Sequence, residues 1–167
     1  MRDVAVNPTI IERDAQPYVA IGGAVPMREM ATVADRLGEV FAFVAERAAE
    51  PAGAPFFKYA AIDMDDLLEV EAGVPLTAPL AGEGPVKAGV LPAGRYVAVT
   101  HVGHPDELLG VTGELLAWAD AQGLVFDRIG TPAGERWACR LELYETDPAV
   151  EPDMHKWSTT LAFKLLG

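Results

Sequence analysis

The sequence predicts a single α+β domain in which two long helices lie on one face of an antiparallel sheet and a ligand cleft lies on the other. Its 167 residues suffice for one domain, 1–167, and half of them are hydrophobic, so a packed core is expected. Two amphipathic stretches show helical periodicity. The order strand, helix, strand, strand occurs twice, which predicts a pseudo-twofold tandem of β-α-β-β units at about residues 5–78 and 86–167.

The first half begins with strands and continues into a helix. Pro26 suits the first turn of a helix, and apolar residues at helical spacing predict a helix over about residues 27–49. Residues 50–55 contain two prolines and a glycine, which end it. Four β-rich runs in this half are predicted to be strands: 9–13, 18–22, 56–62 and 67–74. Two glycines and two prolines predict that residues 79–85 connect the halves.

The second half repeats this order. Asp106 and Glu107 place acidic side chains in the first turn of a predicted helix over about residues 105–122, which suits the helix dipole, and Gly123 ends it. Residues 123–135 are polar and irregular, which predicts a loop. Four further runs are predicted to be strands: 86–91, 96–102, 137–144 and 157–166.

The formal net charge of −12 narrows the function classes. A surface this acidic repels phosphate backbones, so direct nucleic-acid binding is not expected, whereas a cationic small molecule would be attracted. No stretch reaches the ~18 apolar residues of a membrane helix, and the N-terminus lacks the apolar run of a signal peptide. A cytoplasmic protein without a membrane partner is therefore expected.

Sequence motifs for several kinds of chemistry are missing. Cys139 is the only cysteine, so no intrachain disulfide or thiolate cluster can form. His101 and His104 have the spacing of a metal-binding pair but lack a matching third ligand, so we expect no metal or other cofactor and favour a hydrogen-bonding role at this turn. No glycine-rich phosphate loop is present, and Ser158, the only serine, has no G-x-S-x-G motif around it.

Alternation along the predicted strand 137–144 separates two faces. One face holds the four residues expected to pack under the helices: Trp137, Cys139, Leu141 and Leu143. Arg140, Glu142 and Tyr144 point the other way, where they form a polar patch on a central strand. A loose Arg–Glu pair on an exposed sheet face is the simpler interpretation, and alternation alone favours it.

Aromatic residues are the second feature, after the polar patch, that indicates a ligand site. An aromatic wall around one carboxylate suits a flat or cationic ligand through stacking and cation–π contacts. Ordinary core packing is the alternative, and it is preferred for Phe56, Trp137 and Phe163. The ligand-binding residues expected in the cleft are Phe57, Tyr59, His104, Glu142, Tyr144 and Trp157.

Several segments together resemble a known family. Residues 94–103, GRYVAVTHVG, lead into the second predicted helix, and residues 66–75, DLLEVEAGVP, precede the connector. Residues 140–148, RLELYETDP, are followed by WSTTL at 157–161. In order and spacing over nearly the whole chain, these segments resemble the GyrI-like small-molecule-binding domain, also known as the AraC-type effector-binding domain.

The resemblance implies a ligand cleft between two β-α-β-β units and small, often lipophilic or cationic, ligands. In the multidrug-sensing members a buried glutamate among aromatic residues receives the positive charge, and Glu142 matches that position best. Many members are sensor domains fused to DNA-binding segments. Here the first strand starts near residue 9, so transcription regulation would need a separate protein partner. His104 stands where members often carry tyrosine, so that pocket tyrosine is not expected.

Three functions fit these observations, and the sequence leaves open whether the protein is an enzyme. The first is a sensor or sequestering module that binds a lipophilic or cationic aromatic ligand. The second, implied by stand-alone members of the family, is a hydrolase of cyclopropane-bearing toxins, with Glu142 as general base and Tyr144 as hydrogen-bond donor. The third is a protein inhibitor of a topoisomerase-like partner. For the first two, burial in an apolar cleft is expected to raise the pKa of Glu142.

Overall fold

Two copies of a strand–helix–strand–strand unit build the protein. The computed structural model describes residues 7–63, 67–132 and 134–167. The strands in this part of the chain are β1 (Thr9–Arg13), β2 (Gln16–Pro26), β3 (Phe56–Asp63), β4 (Leu67–Pro75), β5 (Lys87–Leu91), β6 (Gly94–Val102), β7 (Arg128–Gly130), β8 (Gly134–Trp137), β9 (Arg140–Tyr144) and β10 (Ser158–Lys164). The α-helices are α1 (Met30–Ala34), α2 (Leu37–Glu46) and α3 (Leu108–Ala121). None of the helices among the described residues is long and apolar enough to cross a membrane.

The strands form one antiparallel sheet whose order has an approximate twofold symmetry. The path runs β1-β6-β10-β9-β3-β4-β2-β5, so β6-β10-β9 of the second unit mirrors β2-β4-β3 of the first. At the centre the two units meet where β3 pairs with β9 and, farther along, with β8, which also pairs with β7. The outer strands are exchanged: β1 pairs with β6, and β5 pairs with β2. The pseudo-twofold α+β fold predicted from the sequence is therefore confirmed.

The first predicted helix, 27–49, is interrupted. A 3₁₀ turn over Met27–Glu29 leads into α1. The helix is then interrupted at positions 35 and 36, before α2 begins. At the break, the Arg36 N–H bonds to the Val33 carbonyl and the Glu39 N–H bonds to the Arg36 carbonyl, each three residues back instead of four. Hydrophobic spacing alone could not reveal this break, because a single tightened turn shifts the apolar stripe only slightly. The second predicted helix is a 3₁₀ turn over Pro105–Glu107 followed by α3.

Both helical units pack on the same face of the sheet. Helices α1 and α2 contact β2 and β4, and α3 contacts β6, so the central strands β3 and β9 lie between the two helical units. Val40 and Val44 of α2 pack on Val19 and Ile21 of β2. This placement agrees with the predicted arrangement of two helices on one face.

The helix-free face differs from the cleft that the sequence predicts there. The curled sheet packs this face on itself around Tyr18, Phe56 and Tyr96, and no helix residue takes part in the cluster. An open groove of about 590 Å³ remains over β2, β3 and β4, lined in part by Lys58 and Glu71. None of the predicted ligand-binding residues lines that groove. A strongly curled sheet can bury its helix-free face against itself. The lack of helices on that face therefore does not make it the ligand-binding face.

The predicted strand 137–144 is in fact two strands, β8 and β9, interrupted at positions 138 and 139. The interruption shifts the alternation, so Trp137 packs in the cluster under α3, whereas Cys139 and Leu141 pack on the helix-free face. The expectation that Cys139, Leu141 and Leu143 pack under the helices was therefore wrong, since alternation separates two faces without showing which one carries the helices. The predicted loop 123–135 also contains the short strand β7 and the first two residues of β8.

Candidate functional site

Glu142 lies at the junction of the two units, on the face that carries the helices. It stands opposite Phe57 of β3 on one side and opposite Leu161 of β10 on the other. Because β3 belongs to the first unit and β9 to the second, the site is built from both units. This position follows from strand order and register, which the sequence pattern alone does not fix.

Two tyrosine hydroxyls hold the Glu142 carboxylate. The Tyr59 hydroxyl donates to Oε2 at 3.0 Å, and the Tyr144 hydroxyl donates to Oε1 at 2.9 Å. We call these three residues the carboxylate–tyrosine cluster. Each phenol must be the donor, since an ionised carboxylate can only accept. The cluster fixes both oxygens in place, and no cationic side chain in the described part of the chain bonds to the carboxylate.

Burial sets the ionisation of the cluster. Removal from water raises the pKa of the Glu142 carboxyl, and this effect outweighs the hydrogen bonds from Tyr144 and Tyr59 and the nearby Arg140 charge, which act in the opposite direction. Burial beside this carboxylate also raises the pKa of both tyrosine hydroxyls, so they remain neutral donors. The expected direction of the Glu142 pKa is thus confirmed. A carboxylate of this kind gains from an incoming positive charge.

Apolar side chains enclose one side of the cluster. The Phe57 and Tyr59 rings meet edge to face, with centroids 5.7 Å apart, and Phe57 is fully buried. Val33 of α1 is buried in the same apolar cluster, and Met30 packs against it together with Tyr144. Helix α1 therefore covers the side of the site formed by the first unit.

Comparison with known families identifies the fold of this site. The model of the GyrI-like small molecule binding domain matches residues 6–160. The chain belongs to this family. No curated protein sequence matches this GyrI-like domain significantly.

Solved structures give the same fold. The C-terminal domain of EcmrR has a TM-score of 0.72 and 17% identity, over 98% of this GyrI-like domain and 99% of that chain. In an EcmrR–DNA complex the TM-score is 0.74 at 17% identity over 96% of the domain, which spans only 57% of that longer chain. SAV2435 bound to tetraphenylphosphonium has a TM-score of 0.67 and 11% identity, over 96% and 94% of the two chains. A hydrolase from Listeria innocua has a TM-score of 0.57 and 14% identity, over 95% and 91%.

The predicted residues Trp157 and His104 of this GyrI-like domain hold loops at the end of the sheet. The Trp157 indole N–H donates to the Glu151 carbonyl at 2.6 Å. His104 Nδ1 accepts from the Asp106 N–H at 3.0 Å, and its ring lies 5.3 Å from that of His155. These contacts match the hydrogen-bonding role favoured for the turn. Their part in ligand binding stays a prediction, since Tyr59 and Tyr144 are the only ones of the predicted residues that bond directly to Glu142.

Arg140 does not form the ion pair with Glu142 that strand alternation favoured. Its guanidinium carbon lies 4.6 Å from the ring centroid of Phe163, 4.8 Å from that of Trp137 and 5.5 Å from that of Tyr59. Its Nε is buried without a hydrogen-bond partner. This aromatic cage was missed in the sequence because Trp137 was assigned to the opposite face.

No group of three or more metal-ligating side chains is placed to hold a metal ion in the described part of the chain.

Proposed function

We propose that this GyrI-like domain is a sensor or sequestering module for lipophilic aromatic cations, with Glu142 as the group that receives the positive charge. The observation that carries the proposal is a partly buried carboxylate that is held by two tyrosine hydroxyls and bonded to none of the described cationic side chains. Such a carboxylate is poorly solvated, so pairing with a cation offsets the cost of its burial.

Two further observations support a cationic ligand. The net charge of −12 raises the local concentration of cations around the protein. The structure of SAV2435, which shares the fold, holds the lipophilic cation tetraphenylphosphonium. The rings of Tyr59 and Tyr144 would add cation–π contacts to the charge pairing at Glu142. A sensor role would need a partner that responds to the bound state, whereas sequestration needs only affinity.

The test compares tetraphenylphosphonium with neutral triphenylphosphine oxide by titration calorimetry and tryptophan quenching. We expect the wild type to prefer the cation and Glu142→Gln to weaken its binding by about 1–3 kcal/mol, the scale of a hydrogen bond to a charged group, while sparing the neutral compound. Glu114→Gln is the matched control, because Glu114 is exposed on α3 and its loss changes the net charge equally. Equal binding of both compounds by the wild type would contradict the proposal.

A hydrolase of cyclopropane-bearing compounds is the second candidate. It is favoured by one observation: a carboxyl group with a raised pKa is bonded to a phenol that could donate a hydrogen bond to a reacting group. The Glu142→Gln variant separates the two functions. In a hydrolase it abolishes ring opening of a cyclopropane-bearing electrophile, followed by mass spectrometry, and leaves binding of that compound largely intact.

A further inference from the structure

Arg140 is a partly buried cation that has no anionic partner among the described residues. It takes part in none of the ion pairs or hydrogen bonds of the described residues, and its Nε is completely enclosed without a partner. A guanidinium withdrawn from water in this way is costly, and burial lowers its pKa. Contacts with three aromatic rings recover part of this cost and hold the side chain in place.

The two described carboxylates whose charges act on Arg140, Glu135 and Glu142, are engaged elsewhere. Glu135 accepts from the Trp137 indole at 2.9 Å and pairs with Arg128 at 3.4 Å. Both oxygens of Glu142 accept from tyrosines. The Glu142 carboxylate and the Arg140 guanidinium therefore belong to separate clusters, although the two residues follow each other on one face of β9.

The strand sets the spacing of the two backbone positions from which these charged side chains extend. Side chains at alternate positions of a strand project from backbone positions about 7 Å apart. Residues 140 and 142 lie on β9, between the strands that the two helical units cover. A ligand lying along β9 would meet a negative charge at one end and a positive charge at the other. A simple cation would meet the attraction of Glu142 together with the repulsion of Arg140.

We propose that the site selects an aromatic zwitterion, whose cationic group pairs with Glu142 and whose carboxylate accepts hydrogen bonds from Arg140. This inference rests on the proposed function, since it uses the same carboxylate, and it adds a second recognition point. A guanidinium suits this role because its planar fork matches the two oxygens of a carboxylate. The aromatic cage orients the guanidinium and leaves it available to bond a ligand.

Three small probes test the inference on the wild-type protein: phenyltrimethylammonium, 4-(trimethylammonio)benzoate and the methyl ester of the latter. In the zwitterion, the ammonium and carboxylate occupy opposite ends of one benzene ring. By titration calorimetry at pH 8, we expect the zwitterion to bind about tenfold more tightly than either cation, the scale of one charge-assisted hydrogen bond. A wild type that binds phenyltrimethylammonium as tightly as the zwitterion overturns the inference, and this comparison needs no variant to fold.

Variants identify the group responsible. In Arg140→Met the preference for the zwitterion should disappear, while phenyltrimethylammonium binds at least as tightly as in the wild type. Arg128→Met is the control, because Arg128 also stacks on Trp137, at 4.9 Å, but is exposed and paired with Glu135. If the preference survives in Arg140→Met, the guanidinium is only a packing element and the inference is wrong.

Glu142→Gln distinguishes this failure from failure of the proposed function. If it weakens phenyltrimethylammonium and the zwitterion shows no advantage in the wild type, only the inference about Arg140 fails. If it leaves the binding of phenyltrimethylammonium unchanged, the function proposed for Glu142 fails as well. Weakened binding together with a tenfold zwitterion advantage supports both.

Discussion

At the scale of single residues, the protein keeps opposite charges apart. Glu142 is held by Tyr59 and Tyr144, and the Arg140 guanidinium lies among aromatic rings. A direct ion pair would neutralise both charges, so neither would be available to bind a ligand. The two tyrosines stabilise the carboxylate by hydrogen bonding without neutralising it, which keeps its charge available.

The raised pKa of Glu142 predicts a stability cost at neutral pH. The folded protein binds the Glu142 proton more tightly than the unfolded chain does, so the contribution of this group is fully present below its ordinary pKa and is lost as the pH rises through the folded-state pKa. We therefore expect Glu142→Gln to be more stable than the wild type at pH 8, by a free energy of unfolding on the order of 1 kcal/mol.

Urea denaturation across the range pH 4 to pH 8 checks this prediction. The difference between Glu142→Gln and the wild type should shrink towards acidic pH, where the wild-type carboxyl is also neutral. Glu114→Gln, at an exposed position on α3, should show no comparable trend. A Glu142→Gln variant that is less stable than the wild type at pH 8 would mean that the ionised carboxylate stabilises the fold.

At the scale of elements, the end of α2 has an unusual backbone conformation. Ala48 has a φ of +52°, in the left-handed region that a helix C-terminus usually reserves for glycine. The Ala49 N–H bonds to the Val44 carbonyl at 3.1 Å, which closes the helix end around that residue. A side chain at this position costs energy because its Cβ approaches the neighbouring carbonyl.

Ala48→Gly should therefore stabilise the protein by about 1 kcal/mol, which raises Tm by roughly 2–4 °C in a domain of this size. The Ala48 side chain is exposed, so little buried area is lost. Ala42→Gly is the matched control: Ala42 is also exposed but lies in the middle of α2, where glycine should destabilise by about 1 kcal/mol. Thermal unfolding of the two variants should thus move in opposite directions, and a lower Tm for Ala48→Gly would contradict the argument.

Periodicity located most elements because each helix and strand alternates between buried and exposed positions. It placed α3 and the strands of both units within a few residues, and it brought Glu142 and Tyr144 to one face. It did not locate the interruption at positions 138 and 139, since a local change in backbone path leaves hydrophobicity unchanged. Periodicity also could not show which face carries the helices, because both sides of this curled sheet are buried.

Contacts between the units depended on information that local patterns do not contain. Tyr59 and Glu142 are 83 positions apart, and only the β3–β9 register brings them within hydrogen-bonding distance. Their residue types suggested a shared site, but their direct bond could not be read from the sequence. The aromatic cage around Arg140 likewise could not be predicted from local patterns, because it depends on the shifted alternation that puts Trp137 on the same side of the sheet as Arg140.

At the scale of the whole molecule, the exchanged outer strands join the two units. β1 lies at the edge of the second unit and β5 at the edge of the first, while β3 and β9 pair at the centre. Among the described residues, separating the units would break four strand pairs, β1–β6, β2–β5, β3–β9 and β3–β8, and expose their edges to solvent. Folding is therefore expected to be cooperative across the whole chain.

Fragments made by a cut between residues 81 and 82 test this expectation. Each fragment alone should lack a cooperative thermal transition, because it has lost its central pairing partner and its outer strand. Mixed in equal amounts, the fragments should regain the near-ultraviolet circular dichroism of the intact chain. A cooperative transition in either isolated fragment would show that the units are independent.

The position of the carboxylate–tyrosine cluster at the junction has a practical consequence for finding the natural ligand. If the proposed site is correct, an occupant would touch Tyr59 from one unit and Glu142 from the other, and it would add a bond across the β3–β9 junction. Occupancy at 100 times Kd would raise the free energy of unfolding by about 2.7 kcal/mol. Thermal shift can therefore screen a collection of metabolites and toxins without a label or an activity assay, and the hits can be ranked by how much of the shift disappears in Glu142→Gln.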